Sequence, residues 1–283
     1  MVAGSKITAV AKDVLLAPIY LYQGHKVKRD TPRLPEPTGR RQGHIQLNTQ
    51  LNITDKISGA NQNQPTLTLM IVGDSAAAGV GSLTQTDALA GKLIPALQQQ
   101  SVIHTTFGAL SWSLQATTGH TSFDILRRLY VLPIPDAPVK VMVLSVGVND
   151  TTANVSIDRW QQQLKEIIRI AKRKFGVQTL IFSSLPPMAQ MPALPTPLNN
   201  FMGAKSTKMD KALQQVCVAY HGDGVHYMAA DFERMAVQHG NGKSVDSAVM
   251  FASDGFHPSP ITYGYWAQQL STLIADLLDN KNT

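Results

Sequence analysis

The chain has 283 residues, 43% of them hydrophobic and 16% charged. That is enough apolar material for one large domain or two small ones, and it excludes general disorder. The net charge of +6 is unevenly placed: residues 1–41 hold Lys6, Lys12, Lys26, Lys28, Arg29, Arg33, Arg40 and Arg41 against Asp13, Asp30 and Glu36, so the remainder is close to neutral. With no basic stripe interleaved with aromatics, nucleic acid is not an expected partner.

The single cysteine, Cys217, excludes an intrachain disulfide and reads as a small buried hydrophobe. No Cys/His cluster has metal-ligand spacing, so no metal and no organic cofactor is expected. No apolar run reaches the ~18–20 residues of a membrane-spanning helix. The stretch from Val14 to Tyr22 is shorter, follows Asp13 and contains Pro18. The expectation is a cytoplasmic or peripherally membrane-associated protein, with secretion left open. The basic amino-terminal segment offers a weak contact to an anionic surface, or a solvated arm along the domain.

Residues 1–66 read as an N-terminal extension. Pro32, Pro35 and Pro37 lie close together, Gly39 and Gly43 follow, and Asn and Gln are frequent up to Gln64. From residue 67 to 283 the pattern is that of one catalytic domain. Leu67–Gly73 is a short apolar run stopped by glycine, hence a buried strand. A helix is expected from about Thr86 to Gln100, a strand from His104 to Leu110, and a helix from near Thr121. Val139–Val146 is the clearest strand. The helix after it spans about Ser156–Phe175, with apolar Ile157, Trp160, Leu164, Ile167, Ile168 and Ala171 at helical spacing. Gly176 suits its carboxyl cap. Val177–Ser183 reads as a strand, 206–220 as a helix, Val225–Ala230 as a short strand, and the segment from Pro260 to about Leu278 as the last helix. Alternating strands and helices give an α/β fold of three layers around a mainly parallel sheet. Sites in such sheets lie at the carboxyl ends of the strands.

Three segments fall at that edge. The first strand runs into Gly73-Asp74-Ser75. The phosphate-cradling loop pattern fails here because Val80 and Gly81 follow Gly79, and the nucleophile elbow fails because Ala77 stands where its second glycine belongs. The third strand ends in Gly147-Val148-Asn149-Asp150, which puts an amide donor at the same edge. Near the carboxyl end stands Asp254-Gly255-Phe256-His257. An Asp three residues before a His can accept from Nδ1–H and leave Nε2 free to face a serine hydroxyl. Each segment alone is also ordinary turn and cap chemistry.

Taken together, Gly73-Asp74-Ser75, Gly119 in Thr118-Gly-His-Thr-Ser122, Gly147-Val-Asn149 with Asp150, and Asp254-x-x-His257 resemble the four sequence blocks of the SGNH/GDSL hydrolases, over roughly residues 67–275. Gly108 is another glycine near the second block; the Thr-Ser and helical stretch after Gly119 favour Gly119. Ala76 stands where family members often carry leucine. The resemblance implies a flavodoxin-like sheet of five strands in the order 2-1-3-4-5. It also implies a serine esterase with Ser75 as nucleophile, His257 as general base and Asp254 as its orienting partner. The oxyanion donors would be the Ser75 N–H, the Gly119 N–H and the Asn149 amide. A short-chain acyl ester is the expected substrate. Lysophospholipid, thioester and acetylated-sugar substrates, or a non-catalytic binding protein on the same fold, are the alternatives. The proline-rich, apolar segment Leu185–Leu198 follows the fourth strand and is expected to wall the pocket, with Met188 and Met191 as adaptable packing.

Overall fold

The computed structural model describes residues 2–47, 64–241 and 246–280. A six-stranded sheet forms the centre. In chain order its strands are β1 (Gln42–Gln46), β2 (Thr66–Gly73), β3 (Ala109–Ala116), β4 (Val141–Ser145), β5 (Thr179–Ser183) and β6 (Val225–Met228), and in space they run β1-β3-β2-β4-β5-β6. The pairs from β3 to β6 are all parallel, and β1 alone is antiparallel, against β3. Without β1 the order is 2-1-3-4-5, as the resemblance implied. The expected five strands become six because residues 42–46 of the basic extension pair along the outer edge of β3. The Asn/Gln-rich residues 48–63 lie outside the described residues.

Both faces of β4, β5 and most of β2 are buried, which is why these strands read as continuous apolar runs. Leu67, Leu69 and Ile71 of β2, Val141 and Val143 of β4 and Ile181 of β5 face one core. That core is closed by α3 (Leu89–Gln98), α4 (Ser101–Thr106), α9 (Phe232–His239) and α10 (Pro260–Asp279). Met70, Val72, Met142, Leu144, Leu180 and Phe182 face the other. Here α5 (Ser122–Val131), α7 (Ile157–Phe175) and α8 (Leu198–Ala219) cover the sheet. The stripe on α7 is anchored by Trp160, which is fully buried and donates Nε1–H to the Met209 carbonyl at 3.1 Å. Ser156 caps the start of that helix, and Gly176 ends it in the left-handed region. Cys217 is buried in the same layer, and burial pushes its thiol up to about 12.

Two sequence expectations need correction, and the amino-terminal extension takes a form that no reading of the sequence specifies. The strand expected at His104–Leu110 is instead the end of α4 followed by β3, which starts at Ala109. Ile103 and Phe107 turn into the core from a helical segment, and the alternation that matters is Leu110, Leu114 and Ala116. Helix α8 begins at Leu198, eight residues before the expected 206. Gly203 lies within it because a Cβ there would meet Ala189 at 2.6 Å, so this helix glycine serves close packing. Finally, Val2–Asp30 forms one helix, α1, despite Pro18. Pro18 sits on the exposed side, so the carbonyl it leaves unpaired faces water. On its other side α1 stacks Tyr20 on Phe201 and bonds Gln23 to Thr196 and Leu198. Among the described residues no helix is long and apolar enough to cross a membrane.

Candidate active site

The register of the central strands aligns the site. Gly73 pairs with Ala116 on one side and Ser145 on the other, so the segments after β2, β3 and β4 leave the sheet at one edge. Only glycine fits at position 73: a Cβ would lie 2.3 Å from the Ser145 carbonyl oxygen. The chain turns there into the short helix α2 (Ser75–Ala78), with Asp74 as its cap, accepting from Ala76 N–H at 3.1 Å. Ser75 is the first residue of α2, half-buried and facing a cleft.

Across the cleft, the loop before α10 carries Asp254 and His257. His257 Nε2 lies 2.8 Å from Ser75 Oγ, and its Nδ1 lies 2.6 Å from Asp254 Oδ2. Asp254 Oδ1 accepts from the N–H groups of Phe256 and His257, both at 3.0 Å. The carboxylate is thus held on both oxygens and is 5% exposed. Burial opposes its charge, but the bonds from the His257 ring and from these two N–H groups outweigh it. The carboxyl stays below the usual range. In this arrangement Nδ1 carries a proton donated to Asp254, and Nε2 is left as an acceptor towards the serine hydroxyl.

The second and third segments complete the edge. Gly119 sits in the turn after β3 with φ +82°, a conformation that favours glycine, and a Cβ built on it would meet nothing within 4 Å. Asn149 lies in α6 (Val148–Thr152) and donates Nδ2–H to the His120 carbonyl at 3.0 Å. One of its two amide hydrogens is therefore engaged and one is available. Asp150 beside it is fully buried and accepts from Ser122 N–H and Oγ–H at 3.0 and 2.5 Å, tying α6 to the start of α5. The N–H groups of Ser75 and Gly119 are not taken by other described residues.

Asp74 is a residue whose chemistry the linear reading missed. It is buried next to His257, and burial pushes its carboxyl up to about 6. An acid whose folded pKa is raised favours folding in its neutral form. That contribution is fully present below about pH 4, the unfolded value, and is lost as pH rises through about 6. Asp74→Asn is therefore expected to raise stability by about 3 kcal/mol at pH 7.5 and to change it little at pH 4. Thermal unfolding at the two pH values checks this, and an equal gain at both would mean that ionisation is not the cause.

The cleft opens into a cavity of about 250 Å³. Pro186, Met188 and Met191 form one wall, as expected of the segment after the fourth strand. Met235, Phe256 and Trp266 also line it; Phe256 falls inside the Asp254-to-His257 motif, whereas Met235 and Trp266 come from segments with no motif of their own. Among the described residues, no group of three or more His, Cys, Asp or Glu side chains converges as metal ligands would.

The doubly wound sheet, ordered 2-1-3-4-5 without β1, is a flavodoxin-like α/β fold, and Ser75, His257 and Asp254 are hydrogen-bonded at its carboxyl edge. The chain belongs to the GDSL-like Lipase/Acylhydrolase family, whose profile matches residues 71–265. No curated protein matches the chain significantly. Among solved structures it is similar to the lipase/acylhydrolase from Enterococcus faecalis: 18% identity and TM-score 0.51, covering 74% of this chain and 96% of that one. It is also similar to the psychrotrophic esterase EstA from Pseudoalteromonas sp., with 17% identity, TM-score 0.52, and 75% and 99% covered. A third is the acetylxylan esterase Axe2 from Geobacillus stearothermophilus, with 14% identity, TM-score 0.51, and 75% and 94% covered. Identities this low establish the shared fold.

Proposed function

We propose that the protein is a serine esterase that hydrolyses short-chain acyl esters through an acyl-enzyme on Ser75. The observation that carries this reading is the unbroken chain from Asp254 through His257 to Ser75 at the mouth of an apolar cavity. Ser75 Oγ attacks the ester carbonyl while His257 Nε2 takes its proton. The tetrahedral intermediate collapses as the bond to the alcohol oxygen breaks, and His257 returns the proton to that oxygen. A water, deprotonated by His257, then attacks the acyl-enzyme by the same route and frees Ser75.

The negative oxygen of the intermediate is to be held by the N–H groups of Ser75 and Gly119 and by the free amide hydrogen of Asn149. Each such donor is typically worth ~10²–10³ in rate, because it meets charge that exists only in the transition state. The imidazole acts as base in its neutral form, with Nε2 free to take the serine proton.

The cavity bears on the substrate. A dry apolar cavity of ~150 Å³ accommodates benzene, so one of about 250 Å³ has room for an acyl group of several carbons. Hydrolysis of p-nitrophenyl acetate, butyrate, octanoate and palmitate tests the proposal. Turnover of the shorter esters is expected, and no turnover of any member would overturn it.

Met188 and Met191 line the same cavity and trimming them enlarges it, so a Met188→Ala/Met191→Ala double variant should shift the optimum to longer chains. Each methylene newly accommodated is worth ~0.8 kcal/mol, about fourfold in kcat/KM. An unchanged chain-length profile would remove these methionines from acyl selection.

A further inference from the structure

The turn that carries Gly119 is held by residues outside the domain matched by the family profile. That profile covers 71–265. Residues 31–41 precede it and pass the carboxyl end of β3, before β1 runs down the outer edge of that strand. Thr38 bridges Thr84, Gln85 N–H donates to the Thr38 carbonyl at 2.8 Å, and Leu114 N–H donates to the Arg41 carbonyl at 2.7 Å.

Within this stretch Glu36 faces the turn. Its Oε1 accepts from both the N–H and the hydroxyl of Thr118, at 2.7 and 2.9 Å. Its Oε2 pairs with Arg41 Nη1 at 2.9 Å, and Arg41 Nη2 donates to the Ala116 carbonyl. A carboxylate and a guanidinium thus grip the chain on both sides of Thr117.

The rest of the turn is held from the domain. Thr117 N–H donates to the Gly73 carbonyl at 3.2 Å, and Arg128 Nη1 donates to Thr117 Oγ1 at 2.7 Å. His120 N–H donates to the Thr117 carbonyl at 3.3 Å, and the His120 carbonyl accepts from Asn149. Residues 116, 117, 118 and 120 are each bonded, and Gly119 is the one whose N–H is not taken.

The orientation of that N–H is a property of the peptide joining Thr118 to Gly119. Fixing both the N–H and the hydroxyl of Thr118 leaves one backbone rotation between the carboxylate and this peptide. Glycine at φ +82° resists a peptide flip less than any other residue would, so something else must hold it.

We infer that Glu36 is a positioning residue for the reaction, aligning the Gly119 N–H by gripping Thr118. The inference rests on the reading of Gly119 as an oxyanion donor. The acid is suited to the task. Burial opposes its charge, but Thr118 and Arg41 outweigh it and hold the carboxyl below the usual range. Glutamine can keep the Oε1 contacts to Thr118, whereas alanine removes them all.

The test is Glu36→Ala and Glu36→Gln in the full chain. It measures kcat and KM on p-nitrophenyl butyrate per folded protein, together with the amide signal of Gly119 in glycine-labelled NMR spectra. Glu36→Ala is expected to lower kcat by about 10- to 100-fold with KM within about twofold, since the contact matters only in the transition state. The Gly119 signal should shift or broaden, and Glu36→Gln should restore most of the rate. A rate and a signal both unchanged in Glu36→Ala overturn the inference. So does a fall in kcat with the Gly119 signal unmoved, because the effect would then travel by another route.

A disturbed Gly119 with an unchanged rate points elsewhere: the grip is real and the reading of Gly119 as a donor fails. Should Glu36→Ala not fold, Thr118→Val removes the hydroxyl half of the grip alone. It is expected to lower kcat severalfold with the same NMR signature, and no change in either overturns the inference.

Discussion

Ser75→Ala is expected to lower kcat on p-nitrophenyl butyrate by on the order of 10⁶-fold with little change in KM. The hydroxyl is the atom that His257 Nε2 faces at 2.8 Å, and alanine leaves the imidazole nothing to deprotonate. The cavity walls and the N–H donors survive the change, so substrate still binds and a residual acceleration over water remains. Stability should move by no more than about 1 kcal/mol, since one hydrogen bond of a half-buried hydroxyl is lost. Steady-state kinetics with a matched thermal melt reads both. Activity above about one per cent of wild type would remove Ser75 from the mechanism and the acyl-enzyme with it.

Asp254→Asn comes second, with an expected fall in kcat on the order of 10⁴-fold. The reason lies in how the carboxylate is held. Oδ1 accepts from two backbone N–H groups and Oδ2 from the His257 ring. An asparagine must turn its carbonyl oxygen to the two N–H groups, which places its NH₂ against Nδ1. Nδ1 must then be the acceptor, the ring proton moves to Nε2, and that nitrogen can no longer take a proton from Ser75. The geometry is kept and the tautomer is wrong. The variant also loses a charge that stabilises the fold. Because the Asp254 carboxyl is held below its usual range, its contribution is present above about pH 4 and is lost as pH falls further. The wild type should therefore lose more thermal stability than Asp254→Asn between pH 5 and about 2. A loss in kcat of less than about tenfold would show that other contacts select the tautomer.

Much of this protein was legible in its sequence because its signals are local. Continuous apolar runs such as Leu67–Gly73 mark strands buried on both faces, and the stripe from Ile157 to Ala171 marks a helix with one buried side. Gly73, Gly119 and Gly147 punctuate strand ends, and the Asp254-to-His257 spacing closes a contact within one loop. These features depend on neighbours a few residues away, so chain order is enough to find them. The boundary between α4 and β3 was not legible, because Ile103 and Phe107 suit a helix or a strand alike until the core they enter is known.

What only the tertiary structure decided depends on long separations. Glu36 meets Thr118 across 82 positions, and His257 meets Ser75 across 182. Met235 and Trp266 line one cavity although they lie 31 positions apart on different helices. The pairing of residues 42–46 with β3 makes the basic extension part of the sheet, and no periodicity in a five-residue segment of alternating exposure announces its partner. The burial that raises the Asp74 carboxyl is likewise set by side chains brought together from several strands, since desolvation is a property of a packed volume and not of a stretch of chain.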